Sequence, residues 1–347
     1  MALLKGVGDF FALDIGTSAV RVVQLSRSGN NWSLSHYGYA PLDIKIASAN
    51  NAESRRKLGE VIMTAFGQSG IRTKDVVIGL DAQKTFTTVI DVPNMSEQEL
   101  KASMKYQVDQ YIPMPMDEAK VDWALLGQSA RDPQKLEVLL VSTAKAYAEE
   151  QLEFVENLGF NVIAAEPDPI AMVRSLLPAN VQDGRLIVDV GEMSTNLAVT
   201  YNDVPRLVRT IPLGLSSLVK TTVQNLGVQD DQARQFILKF GLAPDRLEGR
   251  VFHAIERTLE NFTDELVKSV KFFQTQHPNI SVSEILLSGY ASSVPKFGEY
   301  IAAKTNIKAE IANPWKRVKV SQSDQQQLAS VATEFSIAIG LAQRSNL

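Results

Sequence analysis

The chain has 347 residues, 45% of them hydrophobic and 21% charged, a soluble globular composition long enough for two or more cores. Its 35 Lys plus Arg against 39 Asp plus Glu leave a net charge of −4, which argues against general nucleic-acid binding; the run Lys316, Arg317, Lys319 reads as a solvated edge. With no cysteine, disulfides, thiolate nucleophiles and zinc–sulfur sites are excluded, and a reducing cytoplasm is compatible.

The opening "MALLKGVGDFFALDIG" mimics a short signal sequence, but Asp9 and Asp14 interrupt its apolar run and the continuation is strand-like. No stretch reaches the ~20 apolar residues of a bilayer span, so a cytoplasmic protein is expected. Strands are predicted at Phe10–Leu13, Val20–Leu25, Val76–Leu80 and Thr85–Val92. "MSEQELKASMKYQVDQYIP" is the best-marked helix. Ser96 and Glu99 form a capping box, and Met95 and Leu100 a hydrophobic staple. Leu100, Met104, Val108 and Tyr111–Ile112 then share one face until Pro113 stops it.

A strand at Val138–Ser142 leads to a helix from about Ala144, carrying Tyr147, Leu152, Val155 and Leu158 and ended by Gly159. The two helices bracket a compact α+β insert of about eighty residues. Beyond it come strands at Leu186–Asp189, Asn196–Thr200 and Ile285–Leu287. A long helix within "LEGRVFHAIERTLENFTDELVKSVKFFQTQ" repeats Val251, Ile255, Leu259, Phe262, Leu266 and Val270 at helical spacing. A last helix, "QQQLASVATEFSIAIGLAQR", buries Leu328, Val331, Phe335 and Ile339. This alternation is that of an α/β protein, and no low-complexity linker divides it.

Several chemistries fail at once. There is no P-loop, and Gly6 and Gly8 begin a G-x-G whose third glycine position holds Phe11. His36, His253 and His277 lack a second ligand at metal spacing, and no G-x-S-x-G elbow is present. What remains is the turn in "LDIGTSAVRVV". Backbone N–H groups at Gly16, Thr17 and Ser18 can converge on an anion, and Asp14 can hold Mg²⁺ through water. A plain hairpin turn, with Asp14 bonded to its backbone, explains one copy equally well. The pattern recurs, however, in "LIVDVGEMSTNLAVT", with Asp189, Gly191, Ser194, Thr195 and Asn196. Two such hairpins fit a duplicated fold gripping a polyphosphate from both sides. A third element, "SEILLSGYASSVPKFGEYI", runs a buried strand into Ser288, Gly289 and Tyr290 before a helix with Pro295 in its first turn.

In this order the three stretches resemble the phosphate-1, phosphate-2 and adenosine motifs of the actin-like ATPase superfamily. "AAEPDPIAMV" (Ala164–Val173) looks like the first connecting helix, with Glu166 at the acidic position near the γ-phosphate. "FSIAIGLAQR" (Phe335–Arg344) looks like the second, with Ala338 and Gly340 allowing close helix contact. Within the superfamily, "IDVPNMSEQELKASMKYQVDQYIPMPMDEAKVDWALLG" is similar to the segment that marks the PilM family of type IV pilus assembly, as are "VRTIPLGLSSL" and "ELVKSVKFF".

The resemblance implies an actin-like, ribonuclease H-like, duplicated two-lobe α/β fold. Subdomain 1A would span 1–85 and 160–182, an inserted 1C 86–159, 2A 183–214 and 282–347, and 2B 215–281. ATP with Mg²⁺ would lie between the lobes, held by both turns, Arg21 and the adenosine motif, with the metal on Asp14 and Asp189. Glu265 is a candidate ribose ligand, and Glu166 the one candidate for orienting water. The 1A/1C side would bind the N-terminal peptide of a PilN-like bitopic inner-membrane protein, with Tyr111, Ile112 and Pro113 as core or hinge residues. That makes the chain peripheral to the inner membrane, in a pilus or a related secretion or DNA-uptake system. Pilus motor ATPases and a second copy of the chain are further candidate partners.

Four positions depart from the family pattern: Tyr290 stands where a second glycine is usual, Glu192 and Met193 replace small residues, and Arg21 replaces a common lysine. Tyr290 would either stack on the base or fill its space. ATP binding is therefore expected, with weak or no hydrolysis. Two alternatives rank lower. An FtsA-like division protein should end in a membrane helix, which the seven residues after Gly340 do not provide. An actin-fold sugar kinase would need a substrate-facing base and sugar-binding loops.

Overall fold

The structure is a computed structural model that describes residues 9–344 except Asn30, Asn50, Ala179 and Asn180; the signal-like opening, with Gly6 and Gly8, lies outside the described residues. Apolar alternation first builds three antiparallel strands, β1 (Phe11–Ile15), β2 (Ala19–Ser28) and β3 (Asn31–Pro41). Helices α1 (Ile44–Ser48) and α2 (Ala52–Ser69) return the chain to β4 (Asp75–Leu80), parallel to β1. The insert follows as β5 (Thr85–Pro93), α3 (Glu97–Gln107), β6 (Ala119–Gln128) and β7 (Lys135–Ala144). After α4 (Lys145–Asn157), β8 (Asn161–Pro167) pairs with β4, and α5 (Asp168–Leu176) crosses to the second half.

That half repeats the plan with β9 (Gly184–Val190), β10 (Thr195–Tyr201) and β11 (Val204–Ile211). Helices α6 (Leu215–Leu226), α7 (Asp230–Phe240) and α8 (Arg250–Gln276) come next, then β12 (Val282–Gly289), α9 (Phe297–Thr305) and β13 (Lys308–Ile311). The chain finishes through β14 (Val318–Lys319), α10 (Gln322–Leu328) and α11 (Ser336–Ala342). The sheets run β14-β3-β2-β1-β4-β8 and β11-β10-β9-β12-β13, the same order twice, with β14 added at one edge.

The connecting helices are exchanged between the lobes. Met172, Val173 and Leu176 of α5 pack on Ile187, Ala198 and Leu286 of the second sheet. Phe335, Ile339 and Leu341, at and in α11, pack on Ala12, Val23 and Val77 of the first. The two helices touch where a Cβ on Gly340 would lie 1.8 Å from the carbonyl oxygen of Ala171, so only glycine fits. Beside the expected division of the chain, the packing is this: within 160–182 the helix packs under the second sheet, and within 282–347 the part from Trp315 onward packs on the first. Apolar faces, rather than chain order, decide where these segments sit. The 215–281 helices also share one continuous core with the second sheet.

The insert is smaller than expected. Its sheet, ordered β5-β7-β6, is covered on one face by α3, whose Leu100 and Met104 are buried against Ile90, Val138 and Leu140. Helix α4, expected to lie inside it, turns Val155, Tyr147 and Leu158 onto the first lobe instead. The Ser96–Glu99 capping box forms as read, with the Glu99 carboxylate accepting from the Ser96 N–H at 2.8 Å. Helix α3 ends at Gln107, and a 3₁₀ turn covers Val108–Gln110 before Pro113 is reached. The insert also grips the second lobe: Glu137, fully buried, pairs with Arg206, while Arg131 binds Asp91 at 2.9 Å and Gln276 at 2.7 Å.

Two sequence stretches fold differently from their reading. "AAEPDPIAMV" is half strand, because β8 runs to Pro167 and the helix begins at Asp168. The last predicted helix is broken into α10, a 3₁₀ turn (Ala332–Phe335) and α11, since Val331 leaves the helical region at φ −124°.

Candidate functional site

Two hairpins of matching geometry face each other between the lobes. In the first, Asp14 pairs in register with Arg21 and the Gly16 N–H donates to the Ala19 carbonyl at 3.1 Å. In the second, Asp189 pairs with Asn196 and the Gly191 N–H donates to the Ser194 carbonyl at 2.9 Å. Each turn thus presents its carboxylate and its polar backbone to one cleft, a cavity of about 110 Å³. Asp14, Gly16, Thr17, Ser18, Arg21, Asp189, Gly191, Ser194, Asn196, Gly289 and Tyr290, all singled out in the sequence, line it.

Four predicted residues do not line it. Glu166 is turned the other way by strand alternation: Arg174 holds it at 2.5 Å and Arg344 at 2.9 Å, at the edge of a different groove. Glu265 lies on α8, bonded to Lys268 at 2.7 Å and Arg209 at 3.4 Å. Thr195 donates its hydroxyl to the Leu213 carbonyl at 2.7 Å, a structural bond. Ser288 donates to the Thr333 carbonyl at 3.0 Å and bonds to Asp189 from beneath. Glu166, expected to orient water, and Glu265, expected at the ribose, thus stand outside the lining of this cleft.

Asp168, Asp81, Gln83 and Glu334 enter the cleft in addition. Asp168 sits at the first position of α5, and Gly79 makes room for it, since a Cβ there would meet the Asp168 Oδ1 at 2.2 Å. An acid at a helix start followed by proline was a readable signal in "EPDP"; the neighbouring Glu166 drew the assignment two residues away. Glu334 fell inside a stretch read as continuous helix and carried no signal.

Burial dominates the electrostatics. It raises the Asp14 carboxyl above its usual range even though Arg21, 3.4 Å away, pulls it down. Burial and the charges of Asp14, Asp81 and Asp189 push Asp168 well above the carboxylate range. Asp189 is pushed up to about 6, burial outweighing its bonds to Ser288 and Ser336. Excess carboxylate in a buried cleft calls for added positive charge. Beside it, buried Arg21 Nε and Glu192 Oε2 have no hydrogen-bond partner. Turn N–H groups for an anion together with carboxylates for a hard cation suit a polyphosphate carried with Mg²⁺. Among the described residues no group of three or more His, Asp or Glu side chains forms a ready-made metal cage.

A second, apolar groove of about 250 Å³ runs between the insert and the first lobe. Leu139, Val141 and Thr143 of β7, on the face opposite α3, form its floor; Leu80, Pro167 and Ile170 form the other wall, and Trp123 and Arg344 stand at its rim. No helix of the described residues is long and apolar enough to cross a membrane.

A family model described as type IV pilus assembly protein PilM matches residues 12–346. Among solved structures, a PilM-PilN type IV pilus biogenesis complex is similar at 24% identity and TM-score 0.80, covering 96% of this chain and 98% of that one. The ethanolamine utilization protein EutJ of Carboxydothermus hydrogenoformans is similar at 12% identity and TM-score 0.54, with 97% and 90% covered. MreB 5 of Spiroplasma citri bound to AMPPNP is similar at 11% identity and TM-score 0.54, with 96% and 95% covered. The fold is the actin-like one.

Proposed function

Because the chain belongs to the family of the type IV pilus assembly protein PilM, we propose that it is a nucleotide-binding scaffold that captures a short cytoplasmic peptide of a PilN-like inner-membrane protein. The observation that carries the nucleotide part is the pair of matched hairpins, with Asp14 and Asp189 lining one cleft. The residues present suit Mg-ATP. Backbone N–H groups of Thr17 and Ser18 and of the Glu192–Ser194 turn would take the phosphates, those of Gly16 and Gly191 being donated within their own turns, and Asp14 and Asp189 would take the metal through water. When bound, the metal would offset the phosphate charge and draw both carboxyls into their ionised form. Asp168, rather than Glu166, is the acid placed to hold a water.

The apolar groove supports the partner reading. An extended peptide laid over Leu139 and Val141 would bury aliphatic side chains between the insert and β8, with Lys120, Asp122 and Arg344 lining the groove beside it. The chain would then sit at the inner membrane through its partner.

Titration with N-terminal cytoplasmic peptides of PilN-like proteins tests this reading. Val141→Asp should abolish peptide binding and spare Mg-ATP, and Asp14→Ala should do the reverse. Failure of the parent chain to bind any such peptide would remove the scaffold role.

A further inference from the structure

The insert is a small body of its own. Its buried core contains no residue of either lobe, so contacts on its surface decide where it sits. We propose that the buried pair Glu137–Arg206 is a positioning joint, through which nucleotide in the cleft sets the affinity of the apolar groove for its peptide. This rests on both halves of the reading above.

The joint stands at two irregularities, one in each sheet. In the second lobe, Val199 pairs with Leu207 and Thr200 with Pro205, which leaves Arg206 as the extra residue of a bulge on the edge strand β11. In the insert, Leu125 pairs with Val138 and Gly127 with Glu137, which leaves Leu126 as the extra residue of β6. Gly127 takes φ +115° there, a conformation open to glycine. A bulge turns a side chain out of the regular alternation of its strand. At Arg206 it accompanies a side chain that crosses to Glu137 and is 5% exposed, while Glu137 is fully buried.

Each partner continues into one of the two sites. Side chains alternate along a strand, so Glu137 shares a face of β7 with Leu139, Val141 and Thr143, the floor of the groove. One end of that face is held by the second lobe, and the rest of it meets the first. Arg206 adjoins a stretch of β11 that stays in register with β10 from Leu207 to Ile211. Within it Thr210 donates its hydroxyl to Asn196 at 3.0 Å, beside the second phosphate turn. About 13 Å of paired strand separates Arg206 from Thr210, and as much separates Glu137 from Val141. Packed elements of this length pass on a displacement with little bending. A nucleotide that draws the second turn toward the first therefore carries β11 with it. The groove floor then moves against the wall that Leu80, Pro167 and Ile170 form on the first lobe.

Arg131 adds a lesser tie, bonding Gln276 of α8 at 2.7 Å. The joint itself is a charge contact rather than a set of directed hydrogen bonds. Both Glu137 oxygens and Arg206 Nε are buried without a hydrogen-bond partner. Such a contact survives small rotations between the bodies it joins, whereas full separation would strand two buried charges.

Calorimetric titration of the full chain with an N-terminal peptide of a PilN-like protein, with and without saturating Mg-ATP, tests the joint. The proteins compared are the parent, Glu137→Leu with Arg206→Met, and Glu137→Gln with Arg206→Ala. The first pair of changes removes both charges together and keeps the volume; the second covers the case in which an apolar joint fails to fold. In the parent, peptide affinity should differ at least about tenfold between the two conditions, about 1.4 kcal/mol. By linkage the peptide should change Mg-ATP affinity by the same factor. In both variants the difference should fall below about twofold, while each ligand still binds alone. A merely structural pair would change both peptide affinities alike and leave their ratio as in the parent, which would overturn the joint. Retained coupling would then belong to the junctions Leu80–Asp81 and Pro167–Asp168, where adjacent residues line the groove and the cleft. Equal peptide affinity with and without nucleotide in the parent would overturn the joint and leave both sites standing. Failure of the parent to bind one of the ligands would overturn that half of the functional reading, and the joint with it.

Discussion

Replacing Asp189 by Asn should make the unliganded protein more stable at neutral pH while weakening Mg-ATP binding. Asp189 is 8% exposed, and burial raises its carboxyl from the ordinary 3.8 to about 6. Between those values the native chain keeps a proton that the unfolded chain has released. The stability given by the neutral carboxyl is full below about pH 4 and is lost as pH rises through about 6. A shift of about two pH units corresponds to a penalty of about 3 kcal/mol at pH 7.5, falling to about 1 kcal/mol at pH 4.5. Asn is permanently neutral and can still accept a hydrogen bond from the Ser336 hydroxyl. Denaturant unfolding of parent and variant at both pH values reads this group together with the relief its loss of charge gives Asp168, which acts in the same direction. The variant's advantage should be about 2 kcal/mol larger at pH 7.5 than at pH 4.5. An advantage independent of pH would refute the argument, since it would mean that burial had not raised the Asp189 carboxyl.

Three further outcomes follow from the packing. Gly340→Ala should cost about 2 kcal/mol or more by driving a methyl into the Ala171 carbonyl, read as a lowered melting temperature. Ser96→Ala should cost about 1 kcal/mol locally, seen as faster amide exchange in α3 with Mg-ATP affinity unchanged. Arg206→Ala strands the fully buried Glu137 charge and should loosen the insert from the second lobe by about 3 kcal/mol, with Glu137→Gln in the same chain recovering part of the loss; protease sensitivity of the insert reports both.

Local signals were the legible ones. The cap at Ser96, the apolar stripe of α8 and the repeated Asp-x-Gly turns depend on neighbours in the chain, and each formed as read. β3 went unread because its alternation is diluted by polar residues on a partly exposed face, "NWSLSHYGYAP". Which core each connecting helix would join was not legible either, because α5 and α11 are apolar enough for both sheets and only the crossover settles it. In the cleft, the backbone turns and their carboxylates were readable by spacing. Glu334 was not: it reaches Arg21 across 313 positions, a separation at which sequence carries no period. Asp168 was missed by two residues, and that offset is one strand-to-helix junction at Pro167.

The exchange of α5 and α11 has a consequence for the order in which the protein can form. The first-lobe sheet, with Ala12, Val23 and Val77 on one face, is completed by Phe335 and Ile339, more than 250 residues later. During synthesis that face stays uncovered until nearly the whole second lobe has left the ribosome, so the first lobe is the late-finishing one although it is made first. The last thirty residues therefore act as the closing piece of the N-terminal half, and a chain cut before Phe335 would expose an aggregation-prone sheet in the lobe farthest from the cut in sequence.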